Sequence, residues 1–166
     1  MTGISEGTAG TSRRAADAPW TVEPLTRDAV TRHLEALRRI DAAVIGVPWH
    51  AEQWQLDLPA KWELSRMVVA NGIPLGFLVA SSRDGAVHCH RIAVAADAYR
   101  QGLGTVLLRT VAALAVARGA EAFTVKVHRT NARSLAFLQH AGFTIARHDG
   151  DNFLLTALPD RVARRS

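Results

Sequence analysis

The residues with the clearest chemical potential are two glycines at the start of a predicted helix. Gly102 and Gly104 follow a predicted strand that ends at Val94, and a long amphipathic pattern comes after them. Glycine lets a ligand approach the backbone closely, and the free N–H groups of a helix N-terminus attract anions. The turn therefore predicts a diphosphate site, with Arg100 adding charge at its rim. A lone Gly-x-Gly is more often a flexible turn, and the chain has neither a P-loop nor the third glycine of a Rossmann fingerprint.

Histidine is the residue type best suited to carry a proton near neutral pH, and the chain has seven. His88 and His90 alternate with Ile92 and Val94 on a predicted strand, so all four are expected to face one side. His90 is the first candidate for a general base, and the alternative is a histidine satisfied by a carbonyl or by solvent. His128 is a weaker candidate, and the others are expected at the surface: His33, His50, His140 and His148.

The single cysteine, Cys89, points away from His90 on the same predicted strand and is expected to fill the core. One cysteine excludes an intramolecular disulfide and suits a reducing compartment. No His/Cys spacing supports a metal site, so no metal is expected. The sequence has no run of about 18 to 20 apolar residues and no apolar signal region. We therefore expect a cytoplasmic protein without a membrane partner.

The chain is basic, and arginine supplies most of the positive charge. The net charge is +5, and 18 arginines stand against only two lysines. A basic chain can attract nucleic acid or a phosphorylated cofactor. However, the arginine clusters Arg13-Arg14 and Arg161 to Arg165 lie near the two ends, and no basic run alternates with aromatic residues. Nucleic acid is therefore not the expected partner.

The elements that must position these residues follow from the spacing of the apolar side chains. Residues 1–18 are expected to be a disordered tail, residues 19–158 one domain large enough to bury a core, and residues 159–166 a basic tail. The predicted order β-α-α-β-β-β-α-β-α-β-β indicates an α/β (α+β) fold with a mixed, mainly antiparallel sheet of about six or seven strands and about four helices. The predicted strands are 20–25, 63–70, 74–81, 86–94, 122–128, 143–147 and 153–157, and the helices begin after Thr26, at Pro48, at Gly102 and at Asn131.

Two segments of the chain resemble the GNAT superfamily of N-acetyltransferases. The first is the strand Ile92-Ala93-Val94 with the turn from Tyr99 to Thr105. The second, from Asn131 to Phe143, is similar to the family's Asn-x-x-Ala segment that ends in Gly-Phe. One helix and one strand separate the two segments, as in the family. The resemblance covers about residues 20–158.

The resemblance implies a coenzyme A site. The backbone amides of the turn would hold the pyrophosphate, the strand edge would pair with the pantetheine arm, and one N–H there would polarise the thioester carbonyl. The asparagine that opens the second segment would hydrogen-bond the arm. The cofactor-binding residues so implied are Ile92, Ala93, Val94, Tyr99, Arg100, Gln101, Gly102, Leu103, Gly104, Thr105, Asn131 and Ser134.

The chain departs from the family's pattern where protons are handled. The tyrosine that often protonates the departing thiolate is Leu138 here, and the glutamate base of the ribosomal-protein alanine acetyltransferases is Lys126. Tyr99 and Ser134 also replace common residues, with smaller consequences. In the histone-acetylating branch a glutamate base lies nine residues before the turn motif, and that position is His90. The expected base is therefore His90 or a water relay attached to it.

The resemblance implies an acyl-CoA-dependent N-acetyltransferase that moves an acetyl group from acetyl-CoA to an amine in a ternary complex. A small-molecule amine is the expected acceptor, and a protein N-terminus or lysine is the alternative. Leu138 and Lys126 keep open a non-catalytic coenzyme A-binding module, and succinyl or longer acyl groups also stay open. A monomer or a homodimer is expected. Three tryptophans either line the acceptor cleft or pack in the core: Trp49, Trp54 and Trp62.

Overall fold

The computed structural model describes residues 18–44 and 46–165. Seven strands and six α-helices lie in these ranges: β1 (Trp20–Pro24), α1 (Arg27–Asp41), α2 (Ala51–Gln55), α3 (Lys61–Leu64), β2 (Arg66–Ala70), β3 (Ile73–Arg83), β4 (Ala86–Val94), α4 (Leu103–Ala117), β5 (Ala122–His128), α5 (Ala132–His140), β6 (Thr144–Asp149), β7 (Asn152–Ala157) and α6 (Pro159–Arg164). The expected disordered tail lies outside the described residues except for Ala18. Within those ranges, no helix combines the length and apolar character needed to cross a membrane.

The seven strands form one sheet in the order β1-β2-β3-β4-β5-β7-β6. β4 and β5 run parallel, and the other neighbouring pairs are antiparallel. Parallel neighbours need a long crossover connection, which α4 provides. The predicted mixed, mainly antiparallel sheet is confirmed, with six helices rather than about four.

Helices cover both faces of the sheet, and we name each face after its main helix. On the α1 face, Leu37 of α1, Trp54 of α2 and Phe77 of β3 are completely buried. On the α4 face, Leu107 of α4 and Phe123 of β5 are completely buried. The two hydrophobic clusters fix the helices on the sheet, because burial of apolar area is the main favourable term in folding.

β4 and β5 separate halfway along their length. β4 pairs with β5 only from Ala86 to Cys89, whereas it pairs with β3 as far as Val94. The register between β3 and β4 shifts so that Arg91 and Cys89 lie opposite neighbouring residues of β3, which leaves His90 as an extra residue, a β-bulge. Beyond this bulge the edge of β4 that would face β5 has no strand partner among the described residues. We call this opening the split.

The C-terminal segment corrects the predicted boundary at residue 158. Pro159–Arg164 form α6, which packs against α4, and Val162 is only 1% exposed. Proline suits the first turn of a helix. The arginines of α6 are exposed, so the sequence alone indicates a basic tail and gives no sign that Val162 is buried. β2 begins at Arg66 rather than at residue 63, because Lys61–Leu64 form α3.

We expect Val162→Ala to lower the free energy of unfolding by about 2 kcal/mol, because it removes buried methyl groups and leaves a cavity. The matched control is Val116→Ala on α4, where the side chain is 44% exposed and the change should stay within about 0.5 kcal/mol. Urea denaturation of both variants measures the difference. Equal effects would show that α6 adds nothing to the core.

Candidate functional site

The turn before α4 holds backbone N–H groups ready for an anion. Gly102 is the N-cap residue in the left-handed region (φ 76°), and Arg100 also has a positive φ of 66°. The first hydrogen bond of the helix runs from the N–H of Val106 to the carbonyl of Gly102, at 3.0 Å. Over the described chain, the N–H groups of the residues between them have no acceptor. Such unpaired donors at the positive end of a helix dipole favour a phosphate.

A groove of about 380 Å³ joins this turn to the split. Its wall contains eleven of the twelve residues expected to bind the cofactor: Ile92, Ala93, Val94, Tyr99, Arg100, Gly102, Leu103, Gly104, Thr105, Asn131 and Ser134. Gln101 is the one that does not line it. Five lining residues were not expected, namely Ala43, Val44, Ala98, Arg133 and Phe137. The sequence motifs thus predicted the part of the groove formed by β4, the turn and the start of α5. They did not predict Ala98, the two residues after α1, or Arg133 and Phe137 of α5.

Gly104 is needed where α4 begins because α5 packs closely against it. A Cβ atom at this position would lie 3.0 Å from Cζ of Phe137, which is tighter than ordinary van der Waals contact. Gly102 differs, since a Cβ there would meet no atom within 4 Å, and only its positive φ favours glycine. The two glycines therefore serve packing and backbone conformation respectively.

Arg133 and Tyr99 form a second charged element of the groove. The guanidinium carbon of Arg133 lies 4.2 Å from the centre of the Tyr99 ring, within the range of a cation–π contact. Both residues line the groove beside Arg100. Two arginines at one end of the groove suit a ligand that carries several phosphates. The only sequence signal for Arg133 is its place two residues after Asn131.

Asn131 sits at the start of α5 and is 9% exposed. Its Oδ1 accepts a hydrogen bond from the N–H of Ser134, at 3.2 Å, so the side chain caps the helix. The Nδ2 donor of Asn131 has no partner in the described part of the chain, and the residue lines the groove. Asn131 can therefore hold its helix and still donate a hydrogen bond to a ligand.

His90 lies at the inner end of the split, outside the groove wall. The prediction that four alternate residues of β4 face one side is half right. His88 and His90 share the α1 face, where Arg91 also lies. Beyond the bulge, Ile92 and Val94 pack with the cluster on the α4 face. Nε2 of His90 lies 2.6 Å from Oγ of Ser81. A bulge adds one residue and so reverses the alternation beyond it.

A second histidine extends this polar cluster. The rings of His88 and His90 meet edge to face, with centroids 4.9 Å apart, and Nδ1 of His88 lies 2.8 Å from Oγ1 of Thr124. Burial lowers the pKa of His90 to about 4, and the neighbouring His88, Lys61 and Arg83 lower it further. Burial also lowers the pKa of His88. Both imidazoles are therefore neutral at pH 7, the form that can accept a proton.

The two positions at which the family's proton-handling residues are replaced hold a core side chain and a surface ion pair. Leu138 is 1% exposed and belongs to the core on the α4 face. Lys126 makes an ion pair with Asp149, at 2.6 Å, and this ion pair lowers the pKa of that carboxyl. Leu138 has no proton to give to a leaving thiolate.

The remaining candidates fall into the core or the surface. Cys89 is completely enclosed, and burial raises the pKa of its thiol to about 12, so the expected core role is confirmed. Trp54 is fully buried between Trp49 and Phe77, which confirms core packing for this tryptophan. Over the described ranges, no three His, Cys, Asp or Glu side chains come together as a metal site would need.

A buried ion pair fixes the loop between α1 and α2 against β4. Asp41, at the end of α1, is completely buried and accepts a hydrogen bond from Nε of Arg91 and another from the N–H of Trp49, at 2.8 Å. Nη2 of Arg91 also donates to the carbonyl of Val47, at 3.2 Å. The pair therefore holds this loop beside the residue that follows the bulge. Val44, which lines the groove, belongs to the same loop.

The family model described as "Acetyltransferase (GNAT) family" matches residues 34–143, which is more than half of the 166-residue chain. No curated protein sequence matches the chain. The match spans the groove, the split and the loop after α1.

Several solved structures are similar to this chain. The ribosomal-protein-S18-alanine N-acetyltransferase from Escherichia coli is 23% identical, with a TM-score of 0.70 over 84% of this chain and 93% of that chain. Ard1 from Thermoplasma volcanium is 20% identical, with a TM-score of 0.72 over 84% and 97%. The diaminobutyrate acetyltransferase EctA from Paenibacillus lautus, solved with L-2,4-diaminobutyric acid and coenzyme A, is 18% identical, with a TM-score of 0.69 over 86% and 96%. At these identities the likeness shows the fold alone.

We expect Arg91→Leu to lower the free energy of unfolding by about 3–5 kcal/mol, because the carboxylate of Asp41 stays buried without its cation. The control is Arg39→Leu, which breaks the exposed pair with Glu35 and should cost less than about 1 kcal/mol. Guanidinium denaturation compares the two variants. Similar small losses would mean that the buried pair does not hold the loop.

Proposed function

The chain belongs to the GNAT family of acetyltransferases, and we propose that it transfers an acetyl group from acetyl-coenzyme A to the amine of a small molecule. The observation that carries this proposal is the groove in which unpaired N–H groups at the start of α4 meet the bare edge of β4. A diphosphate with an extended amide-bearing arm fits these two features. The buried, free Cys89 is compatible with a reducing cytoplasm, where we place the reaction.

Different residues of the groove would bind different parts of the cofactor. The N–H groups of Leu103, Gly104 and Thr105 would bind the pyrophosphate, with Arg100 and Arg133 beside it. The edge of Ile92–Val94 would hydrogen-bond the amides of the arm, and Nδ2 of Asn131 would donate to it. Acetyl-coenzyme A, when bound, would supply a thioester whose acetyl group passes to the amine as a C–N bond forms and the C–S bond breaks.

His90 would handle the proton that the amine nitrogen loses. Its imidazole is neutral, and in the tautomer whose Nε2–H donates to Oγ of Ser81, Nδ1 can accept a hydrogen bond from the amine or from a bridging water. A pKa of about 4 makes His90 a weak base. It would therefore accept the proton briefly and pass it to water rather than keep it.

The departing thiol needs less help than the amine. A thiolate with a pKa near 8.5 is a much weaker base than an alkyl amine with a pKa near 10.4. Solvent can protonate it, so the core position of Leu138 does not prevent turnover. The step that most needs assistance is removal of a proton from the amine.

A coenzyme A-binding module without catalysis is the second candidate. The observations in its favour are the burial of Leu138 and the ion pair of Lys126. A screen of small amines and N-terminal peptides for thiol release separates the two. Cofactor binding without turnover on any amine would favour the module.

Cofactor binding should be sensitive to the two glycines before and within the first turn of α4. We expect Gly102→Ala and Gly104→Ala to raise the Kd for acetyl-coenzyme A about tenfold, because the first strains the turn and the second displaces Phe137 in the groove wall. Calorimetric titration measures the Kd. The control is Gly119→Ala, which has a similar positive φ of 72° at the far end of α4. No binding by the unmodified protein would refute the proposal.

His90→Ala should lower kcat about a hundredfold while the Kd for acetyl-coenzyme A stays nearly constant, because the side chain acts on the amine. His140→Ala, at an exposed position on α5, should change neither value. The pKa of His90 is lowered to about 4, so His90 does not titrate between pH 6 and 8. Any rise of kcat/KM with pH in this range should therefore shift with the pKa of the acceptor amine when acceptors of different basicity are compared. An unchanged kcat would remove His90 from the mechanism.

A further inference from the structure

The part of the sheet formed by β5, β7 and β6 carries a row of side chains on its α1 face. The strand register places Lys126 beside Leu154, and Leu154 beside Arg147. In the described chain no helix packs over this row, and Lys126 and Arg147 are exposed. Lys126 is two residues beyond Thr124 on the same face of β5, and Thr124 contacts His88. An uncovered surface therefore borders the histidine pair.

The charges on this surface are mainly positive. Lys126 and Arg147 both act on one carboxyl group, that of Asp149, and both lower its pKa. Lys126 is 45% exposed and Asp149 41% exposed at their side chains, so water and a solute can reach this ion pair. Two cations on one carboxylate leave a net positive charge.

The same sign of charge surrounds the histidines. Arg83 lies close enough to act on both imidazoles, and Lys126 and Lys61 each act on one. No carboxylate of the described residues acts on either ring. An ammonium group that approached His90 would meet these positive charges and be repelled by them.

The acceptor must reach the split from this side. The start of α4 and the N-terminal end of α5 form the wall of the groove that suits the cofactor. The opening on the α1 face is bordered by the loop of Val44 and, across the split, by Lys126. A molecule in this opening would have its amine near His90 and its remainder over Leu154.

Building on the proposed function, we propose that the acceptor is a small amine that also carries a carboxylate or phosphate, held by Lys126 and Arg147. The anion offsets the repulsion of the amine, and it would lie over Leu154, between the two cations. Neighbouring strands lie about 4.8 Å apart. Since Leu154 is two strands from His90, the amine and the anion would be separated by roughly 5–10 Å, as in an ω-amino acid.

Paired acceptors test this assignment. Thiol release from acetyl-coenzyme A is measured with ω-amino carboxylates of increasing length, with the corresponding carboxamides, and with aminoalkyl phosphates against amino alcohols. We expect the anionic member of each pair to have the lower KM. Lys126→Gln and Arg147→Gln should each raise that KM about tenfold, the effect of one charge-assisted hydrogen bond, with no rise in the carboxamide KM and no change in the cofactor Kd. Arg161→Gln on α6 is the control with the same change of charge.

The outcomes separate the acceptor assignment from the enzymatic activity. Equal KM values for carboxylates and carboxamides, or an equal effect of Lys126→Gln on both, would overturn the assignment while the acetyltransferase activity stands. Turnover of acidic peptides with none of the small amines would also overturn it. Cofactor binding with no turnover on any acceptor would remove the proposed activity, and the acceptor assignment with it.

Discussion

The extra residue at His90 is the constraint on which the site depends. In a regular ladder β4 would continue beside β5, and the backbone groups of Ile92–Val94 would be used in strand pairing. The pairing with β5 ends after Cys89, where the bulge begins, and the edge beyond it is free for a ligand. His90 keeps the face of His88, and the bulge turns Arg91 to the same α1 face and Ile92 to the opposite face. The inserted residue thus places Arg91 and the free edge directly after the imidazole.

Contacts from outside the β4–β5 ladder fix β4 beyond the bulge, and the pair of Arg91 with Asp41 is one of them. A buried ion pair gains little net stability, because desolvation offsets much of the Coulomb attraction. The pair instead fixes the position of the loop, because Arg91 also bonds the carbonyl of Val47 and Asp41 also accepts from the N–H of Trp49. The loop that borders the acceptor opening is therefore tied to the residue that follows the bulge.

Local sequence signals predict much of this molecule, and tertiary contacts decide the rest. The order of the elements and the groove residues near Gly102 could be predicted, because turns, caps and apolar spacing are local properties. The faces of Ile92 and Val94 could not, because a bulge depends on the register between β3 and β4. The burial of Val162 could not be predicted because its neighbours are arginines. The contact of Arg133 with Tyr99 could not be predicted because it joins two separate elements. The role of Val44 depends on where the end of α1 lies against β4, which no local pattern encodes.

Burial, and after it the positive charge of the surrounding side chains, makes His90 a weak base. Cations near His90 disfavour its imidazolium, and the same cations would disfavour the ammonium form of an amine bound beside it. A lowered amine pKa raises the fraction of neutral, nucleophilic nitrogen, so a strong base becomes less necessary. The field would also repel the amine in the first place, unless the acceptor brings a negative charge of its own. An anion placed over Leu154, about two strands away, would permit binding while leaving the field at the nitrogen largely intact. On this argument the loss of an acidic base and the gain of Lys126 are parts of one arrangement, in which surrounding charge takes over part of the work of a base.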